Sequence, residues 1–352
     1  MELNDIERFK EIDTNDMYGQ ISRLPSQLKQ AWRMSLTLPL PFTGNIKNIL
    51  IVGMGGSAIG GDLLKEYVQP YVRIPIVVHR DYYLPAWASD DNTLVIVASH
   101  SGNTEETLIA FNEALQNHCR ILAISTGGRL AQDAQAENVP VWTFEHEGQP
   151  RAAVGFSFGL LLGLLVRLGL LEEQNPGIDQ AVEAMLKQQD SLKADVPVNR
   201  NPAKRLAGQL VGRWVTVIGS GALAPVARRW KTQINEIAKC WSQFEILPEF
   251  DHNGILGTQN PAELLTNAMV LFLRAPSDHP RNRLRSDLTR QSLLVEGLNT
   301  DFIDAVGIDT LSHIWTCLHF GDYVAYYLAM AYGVDPTAIP AIEHLKTALK
   351  SH

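Results

Sequence analysis

The chain has 352 residues, which is more than one ordinary core accommodates and fits two domains of common size. A hydrophobic fraction of 45% and a charged fraction of 19% are typical of a globular protein and exclude a disordered chain. The net charge of −8 argues against nucleic acid as a partner, because binding to a phosphate backbone requires a basic face.

The cysteines and the first residues indicate a reducing compartment. Cys119, Cys240 and Cys317 are far apart in sequence and form no CxxC pair, so we expect neither a disulfide framework nor a zinc site. The histidines do not pair into a metal-binding set either, so we predict no metal. The start, "MELNDIERFKEID", is acidic and has no apolar run, so we do not expect a signal peptide. These features predict a cytoplasmic protein.

The first half of the chain alternates short β-rich runs with helical stretches. The runs are apolar along their whole length, which predicts a parallel sheet covered by helices on both faces. The five predicted strands are 48–53, 74–79, 93–99, 120–126 and 139–144.

A long apolar stretch, residues 152–171, follows these strands. It is long enough to span a bilayer, but Arg167 interrupts it and glycines are frequent. We therefore predict a helix buried in the protein core and no membrane partner.

The second half repeats this plan. Residues 213–221 read as a strand ending in Gly-Ser-Gly before a helix, and 267–275 and 293–298 read as further strands. The prediction is α/β, with two doubly wound domains that each contain a mainly parallel sheet flanked by helices. Its limits are 1–175 for the first domain with an N-terminal helical extension, 176–200 for a linker, 201–335 for the second domain and 336–352 for a C-terminal helix.

The loop Gly53-Met54-Gly55-Gly56-Ser57 follows the first strand and opens a helix, as an anion-binding loop does. A dinucleotide would also need an acidic residue closing the second strand, where the chain instead has His79-Arg80. The loop by itself serves a monophosphate equally well.

The third strand favours the monophosphate. Ser99, Ser101, Asn103 and Thr104 follow one another at its carboxyl end, where ligands bind in open α/β sheets. Hydroxyls and the free N–H groups of the next helix suit a single phosphate. The alternative is a simple turn with a capping box between Asn103 and Glu106.

Six motifs carry a resemblance to the bifunctional phosphoglucose/phosphomannose isomerase family, which is built from two sugar-isomerase (SIS) domains. The resemblance runs from about residue 50 to the C-terminus and implies an aldose–ketose isomerase acting on hexose 6-phosphates through a cis-enediol, without cofactor or metal. The motifs are "GMGGSAIGGDL", "SHSGNTEETL", "PRAAVGFS", "QINEIAK", "PEFDHNGILG" and "IEHLK".

The resemblance also implies roles for individual residues. Glu236 would be the base that moves a proton, Arg151 would stabilise the enediolate, and His252 would assist ring opening. Lys346 would assist ring opening or hold O5 of the sugar. His252 would come from the neighbouring subunit of a homodimer. The phosphate would be held by Gly55, Gly56, Ser57, Ser99, Ser101 and Thr104.

One departure concerns the loop at His252. The family usually has His-Asn-Glu where this chain has His252-Asn253-Gly254.

Three other functions remain as alternatives to the isomerase. They are a non-catalytic sugar-phosphate sensor, a nucleotide-dependent oxidoreductase, and an isomerase for another sugar phosphate.

Overall fold

The computed structural model describes residues 2–40, 44–349 and 351. Contacts divide the described chain into two compact units, each with one sheet. The first-sheet unit comprises Arg23–Met185 and Gly307–Ile314. The second-sheet unit comprises the residues up to Ser22, Leu186–Val306, and the chain from Trp315 onward.

All the strand pairs are parallel, as the apolar runs predict. The first sheet has the order β2-β1-β3-β4-β5 and the second the order β7-β6-β8-β9. The two orders match, except that among the described residues the second sheet has no counterpart of β5. The strands are β1 (Asn48–Val52), β2 (Ile76–His79), β3 (Thr93–Ser99), β4 (Arg120–Ser125), β5 (Val141–Thr143), β6 (Trp214–Ser220), β7 (Ser242–Leu247), β8 (Ala268–Arg274) and β9 (Asn299–Asp304).

The helices alternate with these strands, which confirms the α/β fold class. They are α1 (Ile6–Ile12), α2 (Met17–Ser22), α3 (Leu24–Thr37), α4 (Gly55–Val68), α5 (Glu105–Gln116), α6 (Gly128–Ala136), α7 (Val154–Arg167), α8 (Asn175–Gln189), α9 (Pro202–Leu210), α10 (Ala224–Ala238), α11 (Ala262–Leu265), α12 (Pro280–Val295), α13 (Thr310–Tyr332) and α14 (Pro340–Leu349).

The apolar stretch 152–171 forms α7, a helix buried in the first-sheet unit, as predicted. Its glycines permit close packing against α3. A Cβ on Gly159 would lie 2.7 Å from the Ala31 methyl, and one on Gly163 would overlap the Ser35 hydroxyl. In the part of the chain that the structure describes, no helix has the length and apolar character to cross a bilayer.

One predicted strand is wrong and two strands were missed. Residues 293–295 complete α12, Gly297 follows with φ +88°, and the strand begins only at Asn299. The missed strands, β7 and β9, are the two edges of the second sheet. Edge strands are partly open to solvent and carry polar residues. They therefore lack the continuous apolar run from which the other strands were predicted.

The segment 176–200, predicted to be a linker, contains a helix. Helix α8 covers much of 176–200 and buries Ile178, Ala181, Val182 and Met185. The chain up to Ser22 groups with the second sheet, whereas the limits predicted from the sequence include it in the first domain.

Candidate active site

The first sheet has a topological switch point between β1 and β3. After β1 the chain continues to β2 on one side, while β3 lies on the other side of β1. The loops that follow β1 and β3 therefore diverge and leave a crevice at the carboxyl edge of the sheet, where ligands bind in such folds. Both predicted phosphate loops, 53–57 and 99–104, lie at this crevice.

Glycines allow the loop after β1 to approach its surroundings closely. A Cβ on Gly53 would lie 2.9 Å from the Ala98 carbonyl oxygen at the end of β3. A Cβ on Gly56 would lie 2.5 Å from the Pro150 carbonyl oxygen and 3.1 Å from the backbone nitrogen of Arg151. Gly55 has φ +48°, a conformation that favours glycine. The loop can therefore touch both β3 and the turn that contains Arg151.

The hydroxyl groups at the carboxyl end of β3 and in the first turn of α4 lie close together. The Ser99 and Thr104 hydroxyls lie 3.0 Å apart, and the His100 N–H donates to the Ser57 hydroxyl at 3.2 Å. Ser57 and Ser99 are buried, while Ser101 is exposed. We call Ser57, Ser99, Ser101 and Thr104 the hydroxyl cup. The cup extends from the buried Ser57 and Ser99 to the exposed Ser101, so an anion can enter it from the surface.

The alternative to the phosphate site, a capping box between Asn103 and Glu106, is not formed. Thr104, not Asn103, is the N-cap residue of α5, and among the described residues no side chain caps it. The Asn103 side chain instead accepts from the Arg129 N–H at 3.1 Å. The first N–H groups of α5 thus remain available beside the cup.

Arg151 lies against the same loop. It belongs to a short 3-10 turn, Pro150–Ala152, which directly precedes α7. The residue is only 3% exposed, and its Nη1 donates to the Gln149 side-chain oxygen at 3.3 Å. The first-sheet unit therefore brings together every predicted phosphate-binding residue and Arg151.

The second-sheet unit carries the other three predicted residues. Glu236 is half-buried in the last turn of α10, and its carbonyl accepts from the Lys239 ammonium at 2.7 Å. His252 is exposed in a 3-10 turn, and Lys346 is exposed on α14. The neighbouring Asp251 accepts hydrogen bonds from Arg285 and Thr289 of α12, so this loop is anchored.

Gly254, where the resemblance led us to expect glutamate, has a local explanation. A Cβ on Gly254 would lie 2.4 Å from the Phe250 ring. A glutamate at this position would force the ring to move, and Phe250 is itself buried. The aromatic ring thus occupies the space that a longer residue would need.

The second sheet has its own switch point, between β6 and β8, but it already contains a carboxylate. Asp278 accepts from the Ala275 N–H at 2.7 Å and from the Ser220 hydroxyl. Burial raises the pKa of Asp278 to about 6. Sequence reasoning missed this residue, because its partner Ser220 lies far from it in the chain. Of the two crevices, the one with the hydroxyl cup is the better suited to phosphate.

A metal site is not formed by the described residues, since no group of three or more His, Cys, Asp or Glu side chains is arranged to hold an ion. The expectation of a reaction without metal or cofactor stays a prediction.

Comparison with known proteins agrees with the fold and the motifs. Residues 199–349 match the model of the bacterial phospho-glucose isomerase C-terminal SIS domain. A solved structure, the tagatose-6-phosphate ketose/aldose isomerase from Escherichia coli, superposes with a TM-score of 0.68 at 19% identity. That match covers 91% of this chain and 94% of the other. At this identity the structural match supports the fold alone.

Two proteins found by sequence comparison share a larger fraction of identical residues with this chain. The bifunctional phosphoglucose/phosphomannose isomerase of Caldicellulosiruptor bescii is 38% identical over 95% of this chain and 98% of its own length. The protein of the same name from Aquifex aeolicus is 33% identical over 87% of this chain and 91% of its own.

The two SIS-type sheets, together with these relatives, define a sugar phosphate isomerase. The chain belongs to the bifunctional phosphoglucose/phosphomannose isomerase family.

Proposed function

We propose that the protein interconverts fructose 6-phosphate with glucose 6-phosphate and mannose 6-phosphate. The observation that carries this proposal is the hydroxyl cup at the β1/β3 switch point, which suits one phosphate group. Both activities appear in the names of the two sequence relatives, which align with nearly the whole chain.

The proposed chemistry begins with binding of the phosphate. The four hydroxyls of the cup and the N–H groups of Gly55 and Gly56 hold it at the N-termini of α4 and α5, where partial positive charge favours an anion. His252 and Lys346 then assist opening of the sugar ring. A fixed phosphate end leaves C1 and C2 at a set distance from the cup.

Proton transfer follows at the other end of the sugar. Glu236 removes a proton from C1 of fructose 6-phosphate and returns it to C2, while the hydroxyl proton passes from O1 to O2. Arg151 stabilises the enediolate, because its charge is fixed in a buried position with little water to screen it. Return of the proton to one face of C2 gives glucose 6-phosphate, and return to the other gives mannose 6-phosphate.

The subunit arrangement is part of the proposal. His252 reaches the site of a second copy in a homodimer, an arrangement favoured by its exposure and by Leu256 on the same loop, which is 81% exposed. The three free cysteines fit a cytoplasmic location.

The test is isomerisation of fructose 6-phosphate, with glucose 6-phosphate and mannose 6-phosphate measured separately. Glu236→Gln should lower kcat by at least about 100-fold, because it removes the base and keeps the shape. Glu183→Gln, an exposed glutamate on α8, is the matched control. Saturable protection by fructose 6-phosphate without turnover would contradict an isomerase and leave a sugar-phosphate sensor.

A second experiment tests the shared site. Glu236→Gln and His252→Asn chains, each inactive alone, are mixed and allowed to exchange subunits. If His252 acts across the interface, mixed dimers contain one intact site and activity returns. Absence of recovery in verified mixed dimers would place His252 and Glu236 of one chain in the same site.

A further inference from the structure

Two histidines beside the hydroxyl cup are hydrogen-bonded to each other. His100 lies between Ser99 and Ser101, and its Nε2 is 2.9 Å from Nδ1 of His146. His146 belongs to the segment that leads from β5 to the turn containing Arg151. The contact therefore joins the loop after β3 to the segment that carries Arg151.

The backbone of His100 is held firmly at the cup. Its N–H donates to the Ser57 hydroxyl at 3.2 Å. Its carbonyl accepts from the N–H and from the hydroxyl of Thr126, at 3.1 and 2.7 Å. His100 is thus a fixed point to which a less constrained segment can be attached.

Aromatic packing fixes the orientation of the two imidazoles. The Phe144 and Phe156 rings stack at 4.7 Å, and His100 and His146 meet them edge-on. Phe144 precedes the Arg151 turn and Phe156 follows it in α7. The cluster of four rings therefore contains residues that precede the Arg151 turn in sequence and one that follows it.

Both imidazoles are held neutral. Burial, and then the neighbouring His146, lower the pKa of His100 to about 4, while burial and Arg23 lower the pKa of His146. A hydrogen bond between two imidazoles needs one protonated and one unprotonated nitrogen, which a neutral pair supplies. Near neutral pH the pair can therefore persist without adding charge to the site.

We propose that the His100–His146 pair positions Arg151 relative to the hydroxyl cup. It is a positioning pair, since it acts through the segment 144–151 and not on the substrate. The consequence for catalysis rests on the proposed isomerase function. The phosphate end would bind normally without the pair, but the guanidinium would no longer be held where the enediolate forms.

The test compares two substitutions of His146. His146→Phe keeps an aromatic ring and removes the hydrogen bond, whereas His146→Asn places a polar atom close to the position of Nδ1. His279→Asn, at an exposed N-cap, controls for loss of a histidine. Kinetics with fructose 6-phosphate and amide hydrogen exchange of the peptide 144–153 are measured for each.

For His146→Phe we expect kcat to fall about 10- to 100-fold, because small misplacements of a catalytic group have effects of this size. KM should stay within about 3-fold, because no cup residue is changed. Exchange of the 144–153 amides should become faster. His146→Asn should restore both readouts and His279→Asn should leave them unchanged.

Unchanged kcat and exchange in His146→Phe would overturn the proposal. So would an equal loss in His146→Phe and His146→Asn that follows their thermal stability, since that pattern indicates packing alone. If the parent protein showed no turnover, the proposed function would fail, and the exchange data by themselves would still decide whether the pair holds the segment.

Discussion

Arg229 on α10 and Asp322 on α13 form a bidentate ion pair that is almost completely buried. Arg229 Nε lies 3.2 Å from one carboxylate oxygen, and Nη2 lies 2.8 Å from the other. The two residues are 1% and 3% exposed. Because Glu236 lies on the same helix as Arg229, this pair helps to fix the helix that carries the proposed base.

Asp322→Asn should destabilise the protein by about 3–5 kcal/mol, because it leaves a buried guanidinium without its counter-charge. The measurement is urea unfolding. Asp190→Asn is the matched control, since it breaks an exposed pair with Lys193 and should cost less than about 1 kcal/mol. Similar losses for the two variants would contradict the special role of burial.

Asp278→Asn should stabilise the protein at pH 8. The pKa of Asp278 is raised to about 6 in the folded state, so the folded protein binds the proton more tightly than the unfolded chain. Stability from this residue is therefore present below about pH 4 and is lost as the pH rises to about 6. Asparagine removes the buried charge and keeps an acceptor for the Ala275 N–H.

The expected gain at pH 8 is about 1–2 kcal/mol, after allowance for partial solvent screening. Urea unfolding of the parent and the variant is compared at pH 4 and pH 8. The difference between them should shrink at the lower pH. A variant that is equally destabilised at both pH values would show that the carboxylate is needed by its hydrogen-bond partners whatever its charge.

Gly254→Glu, which introduces the glutamate expected from the resemblance, should destabilise this chain and should not raise its activity. The new Cβ would overlap the Phe250 ring, and overpacking of this kind costs about 1–3 kcal/mol. Thermal unfolding measures the loss. The double variant Gly254→Glu with Phe250→Leu should recover part of it, whereas additive losses would exclude the collision as the cause.

Gly56→Ala should weaken substrate binding as well as stability. The new Cβ would lie 2.5 Å from the Pro150 carbonyl oxygen. Because this oxygen belongs to the backbone, it cannot rotate away as a side chain could. We expect KM for fructose 6-phosphate to rise at least about 10-fold, because the loop must move from the Arg151 turn.

Gly208→Ala provides the matched control for this substitution. A Cβ at Gly208 meets no described atom within 4 Å, and the residue lies inside α9. Alanine there should stabilise the protein by about 0.5–1 kcal/mol and leave KM unchanged. Equal effects of the two substitutions on KM would show that the close approach at Gly56 has no special role.

Local sequence patterns were sufficient to predict the two loops at the first switch point and the buried strands before them. Gly53–Ser57 and Ser99–Thr104 each follow an apolar strand and open a helix, so the relevant signal lies within a dozen neighbouring residues. The same holds for α7, whose apolar length and glycines predicted a core helix. Such features are local because strand, turn and helix preferences act between near neighbours.

Features that depend on residues far apart in the chain could be found only from the folded structure. The His100–His146 contact, the Asp278 carboxylate in the second crevice and the Arg229–Asp322 pair have no spacing pattern that reveals them. Polar edge strands such as β7 are fixed by pairing with a neighbour and not by their own apolar content. Each of these features exists only where folding brings separate segments within hydrogen-bond distance.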